Sequence, residues 1–253
     1  MGKHFAALLF GWLLCSQPAL AELADTIETV RPSVVGVGAA RPIRKPLAKG
    51  PPVRFTGTGF VVGNGRQVIT NHHVVPTDLD VDNEEQIVIF AGRGKDTITL
   101  PAVLRRSDPV HDLALLEFSG PVLPVLALAQ DDRVREGDQI AFTGFPIGVV
   151  LGLYPATHRG IVSVITPTVI PADNSRTLTP AQVKRMREAF NVYQLDATAY
   201  PGNSGSPVYR PDSGVVVGVV NSVYVKETKE AILEKPSGIT YAIPVEFARA
   251  LLQ

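Results

Sequence analysis

The chain is 253 residues long, 45% hydrophobic and 19% charged, with 22 glycines and 21 prolines, which describes a globular, turn-rich protein with ample core. Lysine plus arginine and aspartate plus glutamate balance at 24 each, so the formal net charge is zero and no electrostatic footprint for nucleic acid is present. All-β barrels of this length routinely form one unit, and no second domain is needed.

The N-terminus reads as an export address. Lys3 and His4 give a mildly basic start, Phe5 to Leu14 form a short apolar stretch, and Ala19, Leu20, Ala21 fit a small-x-small cleavage signal. Residues 1–21 are therefore expected to be a signal peptide, with Glu22 opening the mature chain. The apolar stretch is too short to span a bilayer comfortably, so no membrane span is expected after cleavage. Cys15 is the only cysteine and follows Leu14, where lipid-attachment signals want a small residue. Its removal would leave a mature protein with no thiol and no disulfide, which suits an exported bacterial protein better than a disulfide-stapled animal one.

Short β-branched runs punctuated by glycine and proline recur around Val34, Val61, Ile87, Val103, Ile140, Val162, Val208 and Val217, predicting an all-β fold. No repeat of 20 to 50 residues is visible. Between Arg41 and Arg54 lie five basic residues among four prolines, a segment expected to be an extended surface loop rather than a ladder strand. Val68 to Val75 read as a β-branched strand running into a polar turn that carries His72 and His73. His111 and Asp112 lead into the apolar strand that begins at Leu113. Thr179 can cap a helix with Pro180 at its first position, and Val183, Met186 and Phe190 then share one face, so this helix either packs on the barrel or borders the serine loop. Val245 to Leu252 read as an amphipathic closing helix.

The run Gly202, Asn203, Ser204, Gly205, Ser206, Pro207 places a serine between glycines, where the backbone can approach a substrate and the hydroxyl stays uncovered. A serine becomes a nucleophile only when a histidine takes its proton and a carboxylate holds that histidine in the right tautomer. The histidines are His4, His72, His73, His111 and His158, and none follows Ser204, which disfavours the α/β-hydrolase order. The order that remains is histidine, aspartate, serine. A metal site built from His72, His73 and His111 is disfavoured, because there is no His-Glu-x-x-His spacing and adjacent strand residues point apart. No cofactor and no metal are expected.

Thr70, Asn71, His72, His73, Val74 resembles the histidine motif of trypsin-like serine proteases, Asp112 to Leu115 their aspartate motif, and Gly202 to Gly205 their serine motif. The nearest subgroup resembles the HtrA proteases, with further matches at Arg31 to Val35, Gly57 to Val62, Gly160 to Ser163 and Gly238 to Pro244. The resemblance implies two six-stranded antiparallel β-barrels with few short helices and the active site in the cleft between them. On that template the N-terminal barrel covers about residues 22–122, the C-terminal barrel about 132–244, and the closing helix 245–252. It assigns the base to His73, the orienting carboxylate to Asp112, the nucleophile to Ser204 and the oxyanion hole to the backbone N–H groups of Gly202 and Ser204. Asp108, before Pro109, reads as turn chemistry.

By position, Thr198, Ala199, Tyr200, Asn221, Ser222 and Val223 are expected to line the pocket for the residue before the scissile bond. None is charged, so a preference for arginine or lysine is not expected, and small or medium aliphatic residues fit best. Ser206-Pro207 is similar instead to the glutamyl endopeptidase group of bacterial secreted proteases. HtrA proteases usually continue into a peptide-binding PDZ domain after the stretch matched by Ala242 to Pro244, whereas the expectation here is a protease domain without one. The resemblance further implies polypeptide substrates among exported or misfolded proteins, a periplasmic or secreted location, and a homo-oligomer, since family members often form trimers. The competing expectation is an inactive trypsin-like protein of the envelope that binds peptides without cutting them.

Overall fold

The computed structural model describes residues 22–42, 52–131, 133–146, 152–168, 189–221 and 239–253. The signal segment, most of the basic proline-rich loop, the helix expected from Thr179, and the pocket candidates Ser222 and Val223 lie outside the described residues.

The strands are β1 (Val34–Ala40), β2 (Val53–Val62), β3 (Gln67–Asn71), β4 (Gln86–Ala91), β5 (Ile98–Asp108), β6 (Leu113–Phe118), β7 (Gln139–Gly144), β8 (Ala156–Pro167), β9 (Asn191–Asp196), β10 (Pro207–Tyr209), β11 (Val216–Asn221) and β12 (Ile239–Pro244). They close into two six-stranded antiparallel barrels, in the orders β1-β2-β3-β6-β5-β4 and β10-β11-β12-β9-β8-β7. Counted from the first strand of each barrel, the two orders are the same connectivity. Closure removes the free edges that an open sheet would expose.

Alternation along the strands explains why they read as continuous apolar runs. Val35, Val37, Val61, Val68, Ala114, Leu116 and Phe118 fill the inside of the first barrel. Their neighbours Val34, Phe60, Val62, Ile69, Leu113 and Leu115 face the other way and are equally buried, joined in one cluster with Ile140, Phe142, Leu195, Val219 and Ile243 of the second barrel. Successive strand residues point to opposite faces, so burial on both faces demands apolar residues at nearly every position.

Among the described residues, two short α-helices flank the barrels. Helix α1 (Leu23–Val30) buries Thr26 and Val30, and both approach Gly214 in the β10–β11 turn of the second barrel. Helix α2 (Val245–Ala250) follows β12 directly and buries Val245 and Ala248, two residues shorter than the sequence suggests because Leu251 and Leu252 leave it in a turn. One boundary is corrected: Arg54 does not belong to the loop but to β2, where its guanidinium pairs with Asp78 at 3.2 Å and Glu85 at 3.0 Å. No helix among the described residues is long and apolar enough to cross a membrane.

Candidate active site

Strand β3 delivers the histidine pair to the seam between the barrels. It ends at Asn71, and residues 72–74 form a single tight helical turn. That turn is tied to the start of β6 by the carbonyl of Asp112, which accepts from the His72 N–H at 3.0 Å and from Asn71 Nδ2 at 3.0 Å. Asp112 has φ +50°, in the left-handed region that aspartate tolerates better than most residues. This turn aims its carboxylate back along the chain. Oδ1 accepts the His73 backbone N–H at 2.9 Å, and Oδ2 lies 2.6 Å from His73 Nδ1. A carboxylate there fixes the proton on Nδ1 and leaves the Nε2 lone pair outward, the tautomer a general base requires.

The sequence left two histidines side by side, and their partners separate them: His73 meets Asp112, whereas His72 Nδ1 meets Ser107 Oγ at 2.7 Å. Asn221, expected to line the pocket, also donates from its Nδ2 to Asp112 Oδ2 at 2.9 Å. It reaches from β11 across to the first barrel and adds a third contact to the carboxylate.

The serine loop connects β9 to β10. Gly202 has φ +100° and Gly205 φ +87°, and a Cβ on Gly205 would lie 2.0 Å from the Thr58 carbonyl oxygen. Only glycine permits that conformation and that approach. The loop is held by backbone bonds: Asn203 N–H to Tyr200 O at 2.9 Å, Ser206 N–H to Asn203 O at 3.0 Å, and Gly205 N–H to Val220 O at 2.9 Å. Thr58 N–H reaches from β2 to the Ser204 carbonyl at 2.8 Å. Among the described residues the amides of Gly202 and Ser204 donate to no protein acceptor. Ser204 Oγ and His73 likewise form no direct hydrogen bond there. In free enzymes that contact is often long and tightens only around bound substrate.

Of the other pocket candidates, Thr198, Ala199 and Tyr200 are half-buried in the approach to the serine loop. The Ala199 N–H donates to Thr240 Oγ1 at 2.9 Å, and that hydroxyl donates in turn to the Ala197 carbonyl. The His158 ring stacks on Phe142 at 4.8 Å and lies 6.1 Å from Tyr200. Burial pushes its pKa below the usual histidine value.

Asp108 combines turn chemistry with a second histidine contact that the sequence did not show. Its Oδ1 accepts the Val110 and His111 N–H groups at 3.1 Å each, and its Oδ2 lies 2.6 Å from His111 Nδ1. The His111 ring stacks on Phe247 of α2 at 3.8 Å and meets Phe190 edge-on at 4.5 Å, so this corner clasps the first barrel to the second. Burial pushes the Asp108 carboxyl up, but the His111 ring and the two backbone donors outweigh it and hold the pKa below the usual range. A depressed carboxyl contributes stability that is present above its unfolded pKa of about 3.9 and is lost as pH falls through the lower folded value. Asp108→Asn therefore flattens the acid limb of the stability curve below about pH 4, read by urea midpoints at successive pH values. An acid limb as steep as wild type contradicts this.

Two barrels meeting at a seam that holds an aspartate-bound imidazole and a glycine-framed serine define a trypsin-like peptidase. Residues 57–219 match the family model "Trypsin-like peptidase domain", and the chain belongs to that family. A probable periplasmic serine endoprotease of the DegP-like kind from Ectopseudomonas mendocina (strain ymp) is 26% identical over 280 residues, an alignment covering 96% of this chain and 51% of that protein. The putative serine protease HhoA of Synechocystis sp. (strain ATCC 27184 / PCC 6803 / Kazusa) is 30% identical over 197 residues, covering 77% of this chain and 41% of that one. Among solved structures, an HtrA-type protease with a tripeptide superposes with a TM-score of 0.64 at 23% identity, covering 92% of this chain and 63% of that one, which shows the shared fold. The chain thus spans about half or less of the length of these curated relatives.

Proposed function

We propose that the chain is an exported serine endopeptidase that hydrolyses peptide bonds through His73, Asp112 and Ser204. The observation that carries this reading is the 2.6 Å contact between His73 Nδ1 and Asp112 Oδ2, completed by Asn221 from the other barrel. It costs a buried amide and a strained backbone to hold one imidazole in one tautomer, and general-base chemistry is what that tautomer serves.

In the reaction His73 Nε2 takes the Ser204 proton as the oxygen attacks the peptide carbonyl, and the oxyanion rests on the Gly202 and Ser204 amides. His73 then protonates the leaving amine, and water, activated by the same base, releases the acyl group from Ser204. Thr198, Ala199 and Tyr200 present no charge to the residue before the scissile bond, which favours small and medium aliphatic side chains. Unfolded polypeptides of the bacterial envelope are the substrate class, in line with relatives named periplasmic endoproteases.

Digestion of reduced, unfolded proteins followed by mass spectrometry of the products tests the reading. The expected result is cleavage after Val, Ala, Leu or Ile, together with covalent labelling by a fluorophosphonate. Cleavage concentrated after Arg or Lys would overturn the pocket assignment. A chain that neither cleaves nor labels would be a peptide-binding relative instead.

A further inference from the structure

Thr58 in β2 stands at a junction that neither the triad nor the oxyanion amides account for. It is fully buried, and each of its polar groups is engaged. Its N–H donates to the Ser204 carbonyl at 2.8 Å, and its Oγ1 donates to the Gly202 carbonyl at 2.7 Å. The same Oγ1 accepts the N–H of Phe145, just past the end of β7, at 3.0 Å. Its own carbonyl accepts Thr70 Oγ1, on the strand that leads to His73, at 2.7 Å. One residue of the first barrel therefore grips both sides of Asn203 in the second barrel's serine loop and is itself gripped by the strand bearing the histidine pair.

We propose that Thr58 is a positioning residue for the oxyanion hole, its hydroxyl setting the direction in which the Gly202 amide points; this rests on the serine endopeptidase reading above. The reason lies in Gly202. At φ +100° it has no Cβ to restrict it, so nothing intrinsic keeps its amide aimed at a substrate carbonyl. Its orientation is imposed from outside, by Pro201 on one side and by the peptide plane on the other. That second plane is fixed at both of its polar atoms, the Gly202 carbonyl by Thr58 Oγ1 and the Asn203 N–H by the Tyr200 carbonyl at 2.9 Å. Removing the hydroxyl releases the carbonyl, and the glycine can then turn its own N–H away. It also strands two buried backbone groups, the Gly202 carbonyl and the Phe145 N–H, which favours rearrangement of the loop.

The decisive variant is Thr58→Val, which keeps the shape and deletes only the hydroxyl. Complete loss of one oxyanion donor typically costs about 10²- to 10³-fold in rate. Misdirection of one donor is expected to lower kcat by about 10- to 100-fold on a peptide nitroanilide built on a mapped cleavage site, with KM within about twofold. Thr58→Ser, which restores the hydroxyl, recovers kcat to within about threefold of wild type, and the shape of the pH–rate profile stays the same in both because His73 and Asp112 are untouched. The rate of fluorophosphonate labelling falls in parallel with kcat in Thr58→Val.

A merely structural role would lower the melting temperature and leave kcat per folded molecule unchanged, so equal kcat in a folded Thr58→Val overturns the proposal. Equal losses in Thr58→Val and Thr58→Ser overturn it as well. Should Thr58→Val not fold, Thr58→Cys, with a weakly donating thiol, carries the same comparison, and wild-type kcat there is the contrary result. Wild-type protein without turnover or labelling would instead sink the endopeptidase reading itself.

Discussion

Ser204→Ala lowers kcat by about a millionfold and abolishes fluorophosphonate labelling, while the protein stays folded. The fold survives because the loop is built from backbone bonds, in which the Ser204 carbonyl, the Gly205 N–H and the Ser206 N–H are engaged and the Ser204 hydroxyl takes no part. Alanine keeps every one of them, so unfolding midpoints should shift by no more than about 0.5 kcal/mol in free energy. Activity collapses because the remaining groups cannot substitute for the lost oxygen: the imidazole has no alcohol to deprotonate, and the amides of Gly202 and Ser204 can polarise a carbonyl but not attack it. A residual rate of about 10³- to 10⁴-fold over water is what binding and the oxyanion hole sustain alone. Turnover within a hundredfold of wild type, measured on protein free of contaminating protease, would place the nucleophile elsewhere.

The residues proposed to perform chemistry stand out in the sequence because chemistry constrains their local neighbourhoods. A glycine-framed serine, a histidine at the end of a β-branched strand and an aspartate at the head of an apolar one each carry a short-range signature, and their order excludes other serine hydrolase arrangements. The groups that orient them carry none. Thr58 reaches the Gly202 carbonyl across 144 positions, and Asn221 reaches Asp112 across 109, so only the fold brings either pair together. Asn221 reads as pocket lining from its strand position; the bond of its amide to the carboxylate has no counterpart in the sequence, because side-chain direction depends on the tilt of one barrel against the other.

The two barrels follow from the family resemblance, whereas no repeat in the sequence itself announces their shared connectivity. The two orders share one connectivity, but a closed sheet requires only alternating burial and turns of suitable length, and many unrelated sequences meet that requirement. His111 shows the same limit at short range. Its spacing from Asp108 suggests a turn, which is present, whereas its seat between Phe190 and Phe247 depends on chain segments about 80 and 136 positions further on.

Asp112→Asn tests the orienting carboxylate, with an expected loss of about 10⁴-fold in kcat and little change in KM. The backbone accepts the change, since asparagine is among the few residues at ease with φ near +50°. The hydrogen bonds do not. In the native chain both carboxylate oxygens accept: Oδ1 from the His73 N–H, and Oδ2 from His73 Nδ1 and Asn221 Nδ2. An amide offers one acceptor and one NH₂ group, so one of those positions now confronts donor with donor. If the NH₂ replaces Oδ2, His73 is driven to carry its proton on Nε2, which cannot take a proton from Ser204, and the Asn221 amide is repelled as well. If the NH₂ replaces Oδ1, it opposes the His73 backbone N–H and loosens the turn that holds the ring. Asn221→Ala separates these effects, because it removes one donor and leaves the carboxylate, and its kcat loss should be about 10-fold or less. Asp112→Asn with kcat within tenfold of wild type would mean that the carboxylate holds the loop and not the proton.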